Sequence, residues 1–156
     1  MHQSSSRADP TDEQRIESAA RGLLRGIGRL SQTLFRTGDF GLGRSQVAVL
    51  DALEEGPRRV TALAAYTGMA QPRVTVVLQG LEERGLTTRG RPAADRRVRE
   101  ASLTPAGREL LDRGRRRMAA ALLRGLDAGV DDSERAVAAA RDALTTLLNA
   151  IDSESF

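Results

Sequence analysis

The sequence predicts a mainly α, winged helix-turn-helix chain (α+β): about six helices, a two-stranded β-hairpin wing, and terminal helices forming a dimerisation region. Three observations predict it. Apolar residues recur at three- and four-residue steps in several separate stretches, as amphipathic helices require. Two short helical stretches lie only a few residues apart around Gly68, the spacing of a helix-turn-helix. An arginine-rich stretch between residues 86 and 103 then turns at Pro and Asp and runs into a Thr-Pro pair that opens another helix.

Taken in order, residues 1–10 are polar and are expected to form a disordered tail. Thr11 or Asp12 can cap a first helix, whose stripe is Ile16, Ala20, Leu23, Ile27, Leu30 and Leu34 and which breaks at the glycine-rich residues 37–41. A second helix is expected over 44–54, with Val47, Leu50 and Leu53 inward, ended by Gly56-Pro57. Thr61 is a plausible cap for a short third helix closed by Gly68. The fourth opens at Gln71 with Pro72 at its first position, where a missing N–H costs nothing. Its buried stripe is Val74, Val77, Leu78 and Leu81, and Gly85-Leu86 marks its end. Strands are expected over 86–91 and 98–103. Thr104 caps a long fifth helix with Pro105 first, reaching about Leu126, and Ser133 can cap a sixth containing Val137, Ala140, Leu144 and Ile151.

At 156 residues the chain is long enough for one integrated domain with a modest core. Its expected parts are a helical dimerisation region at 11–37 and 104–152 and a winged helix-turn-helix region at 44–103, the part expected to be DNA-binding on the charge and motifs below. Aromatic content is 3% with no Trp, so the core must be aliphatic, which suits helix packing. Net charge is only +3, yet all 24 Lys-plus-Arg residues are arginine, and residues 84–117 hold eleven of them against four acids. Residues 127–156 reverse the balance, with seven acids against two arginines. That asymmetry fits contact with a polyanion on one side; chance clustering on a solvated surface is the plainer alternative. Without Cys there is no disulfide, thiolate metal site or thiol switch, and the only His is His2 in the tail, so no metal or other cofactor is expected. No apolar run approaches a membrane span and no hydrophobic signal region opens the chain, so a cytoplasmic protein without membrane association is expected.

The chemistry gathers in two places. A helix reading base edges in the major groove needs donors and small contacts, and Gln71, Pro72, Arg73, Thr75 and Gln79 on the fourth helix supply them. Arg73 is the strongest of these, since Arg to guanine is the commonest specific contact; it can equally serve a phosphate or a nearby acid. Thr61 can donate to phosphate or act only as a cap. The hairpin carries Arg89, Arg91, Arg96, Arg97 and Arg99, which can lie along phosphates or enter a narrow minor groove. Asp95 is read as structural, orienting a neighbouring arginine or the turn. Arg113, Arg115, Arg116 and Arg117 point in several directions and read as solvated or intersubunit.

At these residues the chain resembles the MarR family of bacterial transcription regulators. The wing motif of that family, Asp-x-Arg, then five residues and Leu-Thr, stands here as Asp95, Arg97, Leu103 and Thr104. The Gln-Pro-Arg-Val-Thr run from Gln71 and the Leu-Glu-Glu-Arg-Gly-Leu run from Leu81 resemble its recognition helix and exit. The resemblance implies a homodimer that binds double-stranded DNA at a pseudo-palindromic operator, usually as a repressor, with Arg97 at the wing tip and Asp95 its structural partner. It also implies a small-molecule effector held by the first, second and fifth helices, although no polar constellation identifies the ligand. Where many relatives carry a basic or polar residue after Val-Thr, Val76 stands here, which leaves base preference open. An enzyme is not expected: there is no Cys, no internal His and no glycine-rich phosphate loop after a strand. The alternative from another class is a winged-helix protein–protein interaction module without DNA binding.

Overall fold

The computed structural model describes residues 11–90 and 99–153. The expected tail at 1–10, and the wing residues Arg91, Asp95, Arg96 and Arg97, lie outside the described residues. Two compact units divide the chain, Met1–Arg36 and Thr37–Phe156.

The first unit is carried by α1 (Asp12–Gly38). Thr11 and Gln14 cap it reciprocally: the Thr11 N–H donates to Gln14 Oε1 at 2.9 Å, and the Gln14 N–H donates to Thr11 Oγ1 at 3.3 Å. The expected stripe forms, but Ile16, Leu23, Ile27 and Leu30 on it are exposed.

The second unit runs α2 (Arg44–Ala52), β1 (Arg58–Arg59), α3 (Val60–Thr67), α4 (Gln71–Glu83), β2 (Thr87–Arg89), β3 (Glu100–Leu103), α5 (Pro105–Asp127) and α6 (Ser133–Ser153). Its core is aliphatic as composition requires. Val49, Leu50 and Leu53 meet Leu63, Val74, Leu78, Leu81 and Leu111 in the solvent-free interior. Chain direction out of α4 is fixed at Gly85, whose φ of 70° suits a residue without Cβ. The Leu86 N–H donates to the Leu81 carbonyl at 3.0 Å and the Gly85 N–H to that of Glu82 at 2.9 Å, closing a Schellman motif. Thr104 caps α5 as expected, accepting the Gly107 N–H at 3.1 Å, and its hydroxyl also donates to the Gly85 carbonyl at 2.7 Å. One side chain therefore ties the exit of α4 to the start of α5. In α6 no residue is buried, and Val137, Leu144, Leu147, Leu148 and Ile151 are all exposed.

Four local expectations change. The wing's two strands belong to a three-stranded antiparallel sheet of order β1-β3-β2, with Arg58 opposite Ala101 and Thr87 opposite Leu103. Because Arg58 and Arg59 are extended, α3 starts at once at Val60 with Arg59 at its N-cap, so Thr61 is the helix's second residue and not its cap. Pro72 is likewise the second residue of α4, after Ala70 at the N-cap and Gln71; its missing N–H still falls among those the helix leaves unpaired. Asp132 caps α6 in place of Ser133: its Oδ1 accepts the Arg135 N–H at 2.9 Å, a reach the carboxylate has and the first helical residue lacks.

Candidate nucleic-acid interface

Helices α3 and α4 are joined through Gly68, whose φ of 70° closes α3 and lets the chain turn within Met69 and Ala70. The turn is pinned by the Gly68 N–H to the Ala64 carbonyl at 2.9 Å and by the Thr67 hydroxyl to that of Leu63 at 2.7 Å. Val74, Leu78 and Leu81 hold α4 against the core. Helical geometry then fixes what faces away. Pro72, Val76, Gln79 and Glu83, spaced by four, three and four residues, form the line opposite the buried stripe. Gln71, Pro72, Arg73, Thr75, Val76 and Gln79 are all exposed. The expected fourth-helix residues therefore share one accessible region of α4, with Arg73 and Thr75 flanking its midline. Val77, expected in the buried stripe, is only half-buried.

Their side chains rest on local partners. Arg73 Nη2 donates to Ser45 Oγ on α2 at 3.0 Å, the Thr75 hydroxyl donates to the Gln71 carbonyl at 3.1 Å, and Gln79 Nε2 donates to Glu83 Oε1 at 3.4 Å. All three bonds are solvent-exposed and exchange at little net cost. Thr61 is exposed near the start of α3, a helix end with no side-chain cap.

The hairpin base is more constrained than its sequence suggests. Arg89 Nε lies 2.6 Å from Glu82 Oε1, an ion pair between β2 and the last turn of α4. Beyond it the ladder continues, the Gly90 N–H donating to the Glu100 carbonyl at 2.9 Å. Arg99 is exposed and lines, with Arg89, Val60, Leu78 and Ala101, a shallow pocket between sheet and helix. Arg58, passed over in sequence, is structural. Its Nε donates to the Ala52 carbonyl at 2.6 Å, its Nη2 pairs with Glu55 at 3.0 Å, and its guanidinium lies over the Tyr66 ring at 5.4 Å. The neighbouring Arg59 is exposed beside the interface and reaches Glu100 at 3.9 Å. The available signal was two adjacent arginines between Pro57 and a helix start.

Arg115 of α5 grips the end of α2 and the turn that follows it. Its Nη1 lies 2.5 and 2.6 Å from the two carboxylate oxygens of Glu54, and its Nη2 lies 2.7 Å from Asp51 Oδ1. Expected as solvated or intersubunit, Arg115 is instead an intrachain bridge. Its hydrogen bonds hold the Glu54 carboxyl below the usual carboxylate range, whereas burial pushes the Asp51 carboxyl up against the opposing pull of Arg115. A lowered carboxylate contributes stability that is present above its unfolded pKa and lost as pH falls through the folded one. Glu54→Gln is thus expected to cost about 0.5 kcal/mol at neutral pH, a modest figure for a partly exposed pair. Denaturant unfolding should show the gap to the unmodified protein closing as pH falls through the carboxylate range. A gap independent of pH would contradict the assignment. Among the described residues no helix is long and apolar enough to cross a membrane.

Comparison with known proteins adds the following. A family model described as MarR family matches residues 40–98. A search of curated protein sequences returned no match. Among solved structures, a proposed transcriptional regulator protein from Pseudomonas aeruginosa PA01 is 33% identical, with a TM-score of 0.70 over 90% of this chain and 98% of that one. CouR from Rhodococcus jostii RHA1, solved with p-coumaroyl-CoA bound, is 27% identical with a TM-score of 0.60, over 80% of this chain and 87% of that one. BpsR from Bordetella bronchiseptica, whose DNA binding is regulated by 6-hydroxynicotinic acid, is 26% identical with a TM-score of 0.59, over 86% and 98%.

Proposed function

Since this chain belongs to the MarR family and has the fold of its transcriptional regulators, we propose that it is a sequence-specific, double-stranded DNA-binding regulator. It acts in the cytoplasm as a homodimeric repressor on a pseudo-palindromic operator. The observation that carries this reading is the outward region of α4, exposed over Gln71, Pro72, Arg73, Thr75, Val76 and Gln79 while its other side is locked into the core. A rigid helix presenting donors and a small apolar contact suits the major groove. Thr61 would meet a phosphate, and the hairpin arginines Arg89, Arg91, Arg96, Arg97 and Arg99 would supply charge to the backbone or minor groove, with Asp95 orienting a neighbouring arginine or the turn.

Dimerisation is assigned to 11–37 and 104–152. The exposed apolar residues of α1 and of α6 support it, because each helix leaves an aliphatic stripe that a second copy can cover. The p-coumaroyl-CoA bound to CouR and the 6-hydroxynicotinic acid that regulates DNA binding of BpsR each carry a hydroxylated aromatic ring, which supports an effector with such a ring that releases this chain from DNA.

Selection of bound fragments from a random duplex library by the full chain tests the reading. The expected result is an inverted repeat with half-site centres about 10–10.5 base pairs apart, one helical turn. Failure to enrich any sequence would overturn it. Arg73→Ala is expected to relax base preference at one position per half-site, at roughly 1–3 kcal/mol each. An unchanged selected sequence would reduce Arg73 to its Ser45 contact.

A further inference from the structure

Val76 is 68% exposed and sits on the midline of the outward line of α4, one turn beyond Pro72. A large aliphatic side chain there has no partner within the helix's buried stripe, which Val74, Leu78 and Leu81 already complete. It has no polar atom with which to address a base edge. Being β-branched, it also holds its two methyl groups in a nearly fixed orientation within a helix.

Resting on the DNA-binding reading above, we propose that Val76, backed by Pro72, reads the 5-methyl group of a pyrimidine in the major groove. That methyl is the one apolar feature a base pair presents there. The side chains around Val76 favour this occupant over another protein surface. No acid stands in the first turn of α4, and Arg73 flanks the patch. Of the two acids at the helix's far end, Glu82 is turned to Arg89, and Glu83, seven residues from Val76 on the outward line, accepts from Gln79. The neighbouring Thr75 hydroxyl donates to the Gln71 carbonyl. The apolar patch is therefore continuous with the proposed reading region and has a cation beside it.

The methyl can come from thymine or from 5-methylcytosine, and base replacement separates the two. Starting from a duplex recovered by selection, each thymine is replaced in turn by deoxyuridine, which removes only the methyl. At one position per half-site, affinity of the full chain is expected to fall about three- to fivefold, the effect of one buried methyl group. Val76→Ala should bind with the thymine-to-deoxyuridine ratio at that position reduced to near one. The variant keeps its fold, because the site is exposed and alanine is the better helix former. At the same position, 5-methylcytosine should exceed cytosine by a similar factor if any 5-methylpyrimidine is read, whereas a difference in the thymine pair alone assigns the reading to thymine. Selected duplexes that tolerate deoxyuridine at every position overturn the proposal while leaving DNA binding intact. A deoxyuridine loss undiminished in Val76→Ala overturns it too, since another group or the shape of the duplex then senses the methyl. Should no duplex be selected at all, the DNA-binding reading and this proposal fall together.

Discussion

Gly107→Ala is expected to destabilise the protein by about 3 kcal/mol, the upper part of the range for overpacking, and to lower its Tm by roughly 10 °C. Gly107 is buried in the first turn of α5, where a Cβ would fall within 3.0 Å of the Leu86 carbonyl oxygen and 3.1 Å from Leu103 Cδ2. The oxygen cannot retreat. It accepts the Thr104 N–H at 3.1 Å, and the Leu86 N–H is itself held by the Leu81 carbonyl at 3.0 Å in the Schellman turn. Relief would have to break the α4 exit, the start of β2 or the cap of α5. Gly125, on the same helix, is the control: a Cβ there meets nothing within 4 Å, so Gly125→Ala should stabilise by about 0.5–1 kcal/mol through helix propensity. Chemical denaturation checks both. A Gly107→Ala midpoint equal to that of the unmodified protein would show that the junction gives way cheaply.

Phe40→Ala is expected to cost about 3–5 kcal/mol, as aromatic truncations in cores do. The Phe40 ring is buried in a slot with Gly38 on one side and Gly114 of α5 on the other, and a Cβ on either glycine would come within 3.0 Å of ring atoms. The backbone around it is also held from α5 and from the C-terminal end of α4. Arg117 Nη1 reaches the Gly38 and Asp39 carbonyls at 3.4 and 3.3 Å, and Arg84 Nη1 donates to the Gly41 carbonyl at 2.8 Å. The slot cannot widen without releasing these contacts. Gly114→Ala should therefore destabilise by itself, and pairing it with Phe40→Leu should cost less than the two single changes summed. Strict additivity in denaturant unfolding would mean that ring and glycine do not share the space.

The helices were legible because each announces itself within its own segment. The stripes of α1, α4 and α5, the Thr104-Pro105 opening and the Gly85-Leu86 exit all use spacings of a few residues. What was not legible depends on partners far apart in the chain. β1 is two residues long, too short to show alternation, and exists only because β3 pairs with it. Arg115 lies 61 residues from Glu54, and no local spacing connects them. The candidate interface divides in the same way. That residues 71–79 would expose polar side chains on one region of a helix followed from composition and helical period. That Arg73 rests on Ser45 and flanks the line, while Val76 occupies its middle, needed the buried stripe to be fixed by Leu63, Leu81 and Leu111 from three different elements.

These contacts brace α4, the proposed reading helix. Its exit is tied to α5 by Thr104, α5 is tied to α2 by Arg115, and α2 packs against α4 through the aliphatic core. The central claim, that this helix and its arginine hairpin meet duplex DNA, is tested most directly by affinity for a selected duplex across a series of salt concentrations. Log affinity should fall linearly with log salt, by about 0.9 for each phosphate neutralised, and Arg97→Ala should flatten the slope by about one unit while weakening every sequence alike. Absence of binding at low salt, or an affinity indifferent to salt, would contradict the account.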